Sequence, residues 1–531
     1  MAKAKIARKE EAQLAKEQRP EDDGDIVPGP PDGGYGWVIV AASFICNMVV
    51  DGISYCFGIC LSELVLHYGE TKGTTAWVGS ILTGCTMCFG PIVSAVVNKF
   101  GCRITCITGS IIGSAAFALS VFCPTVSTLM IVYGFIGGIG FGLIYLPAVV
   151  CVGYYFESKR SLATGISVCG SGFGAFAFAP LATFLVNNYG WKGTNLCFAG
   201  IILCCSIFGA LMKPLEFETI EPVEEVTTPS RKLSVKIGIP RSNTSEGPLG
   251  KNSVYNSTLS VGVKNNVIQP LARKDIFYSG SVTNLKEFQS QATLNSYRQS
   301  VLNISRPKSK SSCLPESLSD TLSQLLDFSL VKDPVFMVLG ISNIFGMGAL
   351  YIPFVYLVES AKAEGIDASS ASFLISLIGI LNTVGRIIFG YIADSPKVDS
   401  FLVNNLCLII CAISVALTPF CHTYATYVMV AVGFAIGISG YISLTSIILV
   451  ELLGLDKLTN AFGLIILFRG FAAFIGSPLG GALYDATQSY NVPFFVAGAS
   501  FAISAAISFA APCFKKKKTV DNDEALTPMN A

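Results

Sequence analysis

The stretch LIGILNTVGRIIFGYIAD, residues Leu377–Asp394, combines an apolar helix with a single arginine, Arg386, in its interior. It lies within a longer apolar segment near residues 370–394, and about 20 mainly apolar residues suffice to cross the hydrocarbon core of a bilayer. Arg386 stands eight residues, or about 12 Å of helix, before the polar end of the segment. A charge at that depth is costly, so the stretch predicts a transmembrane helix that carries a functional residue.

The composition extends this prediction to the whole chain. Of 531 residues, 52% are hydrophobic and only 13% are charged, whereas soluble domains carry about 25% charged residues. Further apolar stretches lie near residues 36–62, 76–98, 104–123, 127–155, 161–187, 193–213, 334–358, 400–421, 425–452, 459–484 and 492–513. Together they predict an all-α membrane protein with twelve transmembrane helices in two six-helix halves.

The polar segments divide the chain into five parts. The two halves, 36–213 and 334–513, are nearly equal in length, as expected for two membrane repeats that meet around a site near the bilayer midplane. Residues 1–35 and 514–531 form polar tails. Residues 214–333 are rich in Ser, Asn, Lys and Pro, and we expect them to form a disordered linker.

The distribution of Lys and Arg predicts the orientation of the chain. If the N-terminus is cytosolic, the inner loops and flanks hold eleven basic residues: Lys99, Arg103, Lys159, Arg160, Lys213, Lys397, Lys457 and the run Lys515 to Lys518. The outer loops hold three, which are Lys72, Lys192 and Lys362. Because basic residues are retained on the cytosolic side, both tails and the linker are predicted to be cytosolic.

Several classes of protein are excluded by what the sequence lacks. No phosphate-binding G-x-x-x-x-G-K-[ST] segment is present, so ATP-driven pumping is not expected. The glycines between Gly134 and Gly142 lie in an apolar span without a preceding strand, which favours helix packing over dinucleotide binding. Most of the 18 cysteines lie in apolar segments, and only His67 and His422 could add imidazole ligands. We therefore expect no metal site, no cofactor and no enzymatic activity.

Two motifs frame the first half of the chain. The sequence Asp32-Gly33-Gly34-Tyr35-Gly36-Trp37 stands immediately before the first span. The sequence Tyr155-Phe156-Glu157-Ser158-Lys159-Arg160-Ser161-Leu162-Ala163-Thr164-Gly165 opens the fifth span. These motifs resemble the two signatures of the monocarboxylate transporter family, solute carrier family 16, of the major facilitator superfamily. The resemblance implies the major facilitator fold and covers both membrane halves.

The resemblance also bears on individual residues. Proton-coupled members of the family carry an Asp four residues before an Arg on helix eight, and a Lys on helix one. Arg386 matches the Arg, Asn382 stands at the position of the Asp, and the Lys position falls near Ile59. Because Asn cannot titrate, carboxylate recognition is implied but proton symport is not. The segment RKDIFYSGS, residues 273–281, is similar to one in the same loop of less-studied members, and no role is predicted for it.

Other ionisable residues in the spans are candidates for the same site. A buried guanidinium can hold a carboxylate through two parallel hydrogen bonds, which favours Arg386 as a substrate ligand over a structural ion pair. Arg469 is a second buried cation that contacts substrate or forms an ion pair. Asp51 is the most deeply embedded acid, and Tyr55 follows it by one helical turn. Tyr55, Phe354, Tyr356 and Tyr441 are candidates to line a central cavity, with packing as the alternative for each.

A second group of residues is assigned to conformational change. The superfamily has a loop signature between helices two and three, repeated between helices eight and nine. Arg103 belongs to the first copy, in which Asn98 replaces the usual Asp, and Gly390 and Asp394 belong to the second. Gly390 would allow close helix approach, and Asp394 would face the N-terminus of a neighbouring helix. Glu451 lies at the inner end of helix ten as a gate or a solvated end.

These features predict an alternating-access carrier of monocarboxylates or related small organic acids, facilitative or only weakly proton-coupled. The alternatives are a carrier of zwitterionic or aromatic substrates, such as creatine, an aromatic amino acid or an iodothyronine, and a non-transporting sensor that signals through the linker. The family resemblance implies the plasma membrane. It leaves open a single-span immunoglobulin-like glycoprotein as a partner at the cell surface.

Overall fold

The computed structural model describes residues 31–157, 159–214, 273–280, 282, 285–289, 294–301, 328–393 and 398–514. Helices of the first half are α1 (Gly36–Tyr55), α2 (Phe57–Tyr68), α3 (Lys72–Cys88), α4 (Gly90–Ser120), α5 (Val126–Tyr155) and α6 (Arg160–Leu211). The described part of the linker holds two short α-helices, α7 (Lys286–Gln289) and α8 (Leu294–Val301), and a 3-10 helix at Phe328–Lys332.

The second half repeats this helical organisation. Its helices are α9 (Pro334–Ala363), α10 (Ala368–Ala393), α11 (Ser400–Leu417), α12 (Tyr424–Ser443), α13 (Thr445–Leu453), α14 (Leu458–Thr487) and α15 (Asn491–Phe509). In the described part of the chain, ten helical segments are long and apolar enough to cross a membrane. The all-α membrane architecture predicted from the composition is therefore confirmed.

Two of the long helices are interrupted by a glycine with positive φ. A helix of 52 residues would be about 78 Å long, which is more than twice the thickness of a bilayer core. Helix α6 is therefore too long to be a single transmembrane span. Gly190, with φ 66° and ψ 179°, breaks it near its middle. Gly101, with φ 80° and ψ 166°, breaks α4 in the same way. With both breaks, and with α3 continuing into the first part of α4, the helices are consistent with the expected twelve spans.

The two halves contact each other along pairs of helices. Helix α6 packs against α10 so closely that a Cβ atom on Gly379 would lie 2.4 Å from the Gly172 carbonyl oxygen. Across the same interface, the Ser376 hydroxyl donates to the Phe176 carbonyl oxygen at 3.1 Å. Helices α3 and α14 form a second contact between the halves. Small residues thus allow close approach of the two repeats.

The ends of the bundle differ. The inner end is the one predicted to face the cytosol and the outer end is the opposite one. At the outer end, the Asp485 carboxylate on α14 accepts hydrogen bonds from the backbone N–H groups of Lys72 and Gly73 at 3.2 and 2.8 Å. This carboxylate satisfies free donors at the N-terminus of α3, where the helix dipole favours a negative charge. The outer ends of the halves are therefore joined directly.

The prediction that residues 214–333 lack ordered structure is wrong for part of the linker that the structure describes. Asp275 and Tyr297 are fully buried, and Ile276 is 3% exposed. The composition of the linker does not reveal this, because some of the groups that cover these side chains, such as Arg160, belong to the membrane halves. The sequons at Asn243, Asn256 and Asn303 lie outside the described residues.

Candidate functional site

The centre of the site is Arg386 on α10, whose side chain is 6% exposed. Its Nε donates to the Asn382 amide oxygen at 3.2 Å, one helical turn away. Its Nη1 donates to the Val168 carbonyl oxygen of α6 at 3.2 Å. Nη2 has no acceptor among the residues that the structure describes, so one edge of the guanidinium still has hydrogen-bonding capacity.

An acid and a tyrosine from α1 belong to the same neighbourhood as this guanidinium. Asp51 is within electrostatic range of Arg386 and lies close to the Ser171 hydroxyl of α6. Tyr55, one turn later, stacks on Phe354 of α9 with ring centroids 4.3 Å apart. The predicted grouping of α1 with α10 is therefore present as a spatial neighbourhood, and both halves contribute to it.

The second buried cation, Arg469 on α14, has neutral partners. Its Nε donates to the Asn343 amide oxygen at 2.8 Å, and its Nη2 donates to the Thr445 hydroxyl at 2.7 Å. The guanidinium carbon lies 5.1 Å from the ring centroid of Tyr441, a cation–π distance. The Tyr441 hydroxyl in turn donates to Asn343 at 3.0 Å. Arg469 is thus fixed in place without a counter-ion from these partners.

The charge of the region is unbalanced. In the described ranges, no carboxylate lies within 4.0 Å of either Arg386 or Arg469. Two arginines and one aspartate, Asp51, give a net charge of +1 when the carboxyl is ionised. Ile59, at the position where the family resemblance implies a Lys, adds no charge and is 5% exposed. Excess positive charge in a buried region favours an anion.

Sequence reasoning missed two tyrosines and an asparagine of this neighbourhood. Tyr145 on α5 is within electrostatic range of Asp51, Arg386 and Arg469. Tyr351 on α9 is likewise close to Asp51 and Arg469. Asn343 holds Arg469. Uncharged polar residues in an apolar span have no periodic signal that separates a cavity wall from packing, so these three were not predictable individually.

Tyr356 lies outside the neighbourhood. It is fully buried, and its hydroxyl donates to the Ser477 carbonyl oxygen at 2.8 Å. This bond ties α9 to α14 within the second half. For Tyr356, the packing alternative is therefore the one that the contacts favour.

Three of the four residues assigned to conformational change lie in the described part of the chain. Asp394 lies outside the described residues. A Cβ atom on Gly390 would meet nothing within 4 Å, so the predicted close helix approach at Gly390 is wrong for this conformation. Arg103 and Glu451 are exposed at the inner end. No cluster of three or more His, Cys, Asp or Glu side chains able to hold a metal occurs in the described ranges.

The two sequence motifs meet in space. The Asp32 carboxylate accepts a hydrogen bond from the Glu157 backbone N–H at 2.6 Å, and the Asp32 N–H donates to the Tyr155 carbonyl oxygen at 3.3 Å. Trp37 packs edge-on against Phe156, with ring centroids 5.1 Å apart. Gly34 has a φ of 55°, a conformation that favours glycine in the turn. Gly33 completes the turn before α1.

The motif junction continues into Arg160, which is fully buried at the start of α6. Its Nη1 lies 2.7 Å from the Asp275 carboxylate of the linker. The sequence placed Arg160 at the cytosolic boundary as a basic flank. Its burial is a consequence of the linker contact, which the sequence did not predict.

Comparison with known proteins identifies the class to which this fold belongs. The profile of the Major Facilitator Superfamily matches residues 43–452. The crystal structure of the nucleoside transporter NupG superposes with a TM-score of 0.56 at 11% identity, covering 91% of this chain and 99% of that one. At that identity the likeness concerns the fold alone, which is the major facilitator fold predicted from the sequence.

Relatives narrow the class to a family. Monocarboxylate transporter 14 of Homo sapiens is 30% identical over 511 residues, covering 94% of this chain and 95% of the relative. Monocarboxylate transporter 9 of Pongo abelii is 28% identical, covering 88% of this chain and 91% of the relative. Monocarboxylate transporter 12 of Mus musculus is 27% identical, covering 88% and 84%. The chain belongs to the monocarboxylate transporter family of the Major Facilitator Superfamily, and it is a membrane transporter, not an enzyme.

Proposed function

We propose that this transporter carries a small monocarboxylate, whose carboxylate is bound by Arg386 near the bilayer midplane. The observation that supports this most directly is the partial satisfaction of the Arg386 guanidinium. Asn382 and Val168 occupy Nε and Nη1, while Nη2 has no acceptor among the described residues. A substrate carboxylate supplies that acceptor and a compensating charge, which makes its binding favourable in a poorly solvated region.

The net charge of this site favours a substrate that carries a single negative charge. Arg386 and Arg469 together with ionised Asp51 have a net charge of +1. A monoanion neutralises this site, whereas a dianion would leave it negative. Tyr145 and Tyr351 are both within electrostatic range of Asp51 and Arg469, and they provide hydroxyl groups for a small polar substrate. Alternating access of the two halves then moves the neutralised complex across the membrane.

Coupling to protons is expected to be weak or absent. Asn382 stands one turn from Arg386, where a titratable acid would exchange its proton with substrate binding, and an amide cannot do so. Among the described residues, Asp51 is the carboxyl group within electrostatic range of Arg386. Uptake of labelled pyruvate at external pH 6 and pH 8 is the direct test. Equal uptake supports a facilitative carrier, and strong acceleration at pH 6 makes Asp51 the first candidate for the coupling acid.

The role of Arg386 is tested by uptake of labelled pyruvate or lactate in cells with confirmed surface expression. Arg386→Ala should reduce uptake at least about 100-fold, because a charged hydrogen bond and the positive charge are both lost. Lys192→Ala is the control, since that cation is exposed in an outer loop and was assigned no role in binding or conformational change. Unchanged uptake in Arg386→Ala, with the control also active, would exclude Arg386 as the binding residue.

A zwitterionic or aromatic substrate is the second candidate. Asp51 and Arg386 lie close enough to bind an ammonium and a carboxylate of one molecule, and the Tyr55–Phe354 stack offers an aromatic surface. Competition of pyruvate, creatine, an aromatic amino acid and an iodothyronine against one labelled substrate discriminates the two. The sensor alternative requires no flux in sealed vesicles together with ligand-dependent phosphorylation of the linker.

The proposed location is the plasma membrane, with both termini in the cytosol. The excess of Lys and Arg in the loops of the inner end supports this orientation. Epitope tags at the two termini of the full-length chain should react with antibody only after permeabilisation of the cell. Expression with and without a single-span immunoglobulin-like glycoprotein tests whether such a partner is needed at the surface.

A further inference from the structure

Part of the linker forms an ordered element at the inner end of the bundle. This element, named the clasp, consists of residues 273–279 and 297–301. Its two segments are joined by the Lys274 backbone N–H, which donates to the Val301 carbonyl oxygen at 3.1 Å. The Tyr297 hydroxyl donates to the Asp275 carboxylate at 3.2 Å. Both of these side chains are fully buried, which is unusual in a polar linker.

The clasp binds the first half through Asp275. The Arg160 guanidinium approaches the carboxylate at 2.7 Å and also donates to the Asp275 carbonyl oxygen at 3.0 Å. Arg273 donates from Nε and Nη2 to the two carboxylate oxygens at 3.0 Å each. Burial opposes ionisation of this acid, but the two arginines outweigh it and hold the pKa of Asp275 well below its usual range. Asp275 is thus the counter-ion of a buried arginine of α6.

The same element binds the second half. Phe277 stacks on Phe462 of α14, with ring centroids 5.0 Å apart. The hydroxyl oxygens of Ser279 and Ser446 lie 2.6 Å apart, and Ser446 belongs to α13. The Thr459 hydroxyl donates to the Lys274 carbonyl oxygen at 3.1 Å. A linker segment therefore bridges the inner ends of both halves, while the outer ends are joined directly through Asp485.

Alternating access changes the separation of the two halves at the inner end. A short ordered element can satisfy its contacts to Arg160 and to Phe462 together in only one arrangement of the halves, because the clasp side chains that make them, Asp275 and Phe277, are both buried. We propose that the clasp is an intramolecular brake, which stabilises the conformation with the outer end closed and must detach from the second half for the cycle to proceed. The linker thereby sets the rate of transport.

The first test locks the clasp reversibly in the full-length protein. Ser279→Cys and Ser446→Cys are combined, because the two side chains are in contact. Cross-linking is confirmed by mass spectrometry, and uptake of labelled pyruvate is measured in sealed vesicles before oxidation, after oxidation and after reduction. We expect at least about a fivefold fall on oxidation, recovery on reduction, and no change in either single variant. Uptake by the cross-linked protein equal to that of the single variants would overturn the proposal.

A second test needs no substrate, so it remains informative if pyruvate, the proposed substrate, is not transported. Ser446→Cys is labelled from the inner side with a membrane-impermeant maleimide, and the parent chain serves as the blank for native cysteines. Asp275→Ala should accelerate labelling at least about fivefold, because the clasp that covers Ser446 is released. Equal labelling rates with and without Asp275 would overturn the proposal.

Two variants complete the labelling test. If Asp275→Ala fails to reach the membrane because Arg160 is left unpaired, Phe277→Ala replaces it, since that change removes the stack on Phe462 and leaves the ion pair of Arg160 intact. Lys274→Ala is the matched control. Its partner, Asp456, has a side chain 84% exposed, and such surface ion pairs contribute little. Labelling of the control should equal that of the parent.

Discussion

The Asp32 carboxylate accepts a hydrogen bond from the backbone N–H of Glu157 at 2.6 Å, although the two residues are 125 positions apart. This bond joins the turn before α1 to the turn between α5 and α6. The two sequence signatures of the family are therefore one structural junction at the inner end. The ion pair between Arg160 and Asp275 connects this junction to the linker.

The junction predicts that loss of the Asp32 carboxylate lowers the stability of the protein without changing substrate binding. Asp32→Ala should lower the free energy of unfolding by about 1–2 kcal/mol, because the Glu157 N–H loses its acceptor. Thermal unfolding of the detergent-solubilised protein measures the change, with Glu70→Ala, an exposed acid at the outer end, as the control. The KM for the transported substrate should stay at its parent value. A changed KM at unchanged stability would contradict a purely structural role.

A carboxyl group introduced beside Arg386 should make transport sensitive to pH. In Asn382→Asp, the new carboxylate lies one turn from the guanidinium and brings the net charge of the region from +1 to 0. Anion uptake should therefore fall at least about tenfold at pH 8 and partly recover at pH 6, because protonation removes the added negative charge. Uptake ratios at the two pH values, compared with Asn382→Ser, measure the effect. Equal ratios in both variants would contradict it.

Two glycines on α10 make a matched pair. A Cβ atom on Gly379 would lie 2.4 Å from the Gly172 carbonyl oxygen across the interface of the halves, whereas one on Gly390 would meet nothing within 4 Å. Gly379→Ala should lower surface expression or stability, with a cost of about 1–3 kcal/mol from overpacking. Gly390→Ala should be tolerated, within about 0.5 kcal/mol of the parent. Because Ala has a higher helix propensity than Gly, comparable losses in both variants would contradict the packing argument.

The clasp itself is expected to be insensitive to physiological pH. The pKa of Asp275 is lowered when it is folded against Arg160 and Arg273, and burial and Asp275 raise the pKa of Tyr297. The stabilisation from the carboxylate is present above about pH 4, the ordinary range of an Asp, and is lost only as the pH falls toward the lowered folded value. The ratio of uptake at pH 6 to that at pH 8 should therefore be the same in the parent and in Phe277→Ala. A ratio that changes on release of the clasp would contradict this assignment.

The membrane architecture was predictable because it depends on local sequence. Apolar segments of about 20 residues must form helices in lipid, where each backbone group needs a partner within its own segment. The depth of Arg386 in such a segment could therefore be predicted from the sequence, and so could its position one turn from Asn382. The same rule does not predict which side chains of different helices contact one another. The contacts of Arg469 with Asn343 and Thr445 depend on three separate helices, so no local pattern predicted them.

The ordered part of the linker could not be predicted from its composition. By composition it cannot bury enough apolar surface to fold alone, and that inference from the sequence is sound for an isolated segment. Asp275 and Phe277 are ordered because Arg160 and Phe462 of the two halves supply the charge and the ring that the linker lacks. The sequence by itself determined the helical spans, the family and the buried arginine. Only the tertiary structure decided which distant groups cover one another, because a buried ion pair depends on the approach of segments that no local pattern relates.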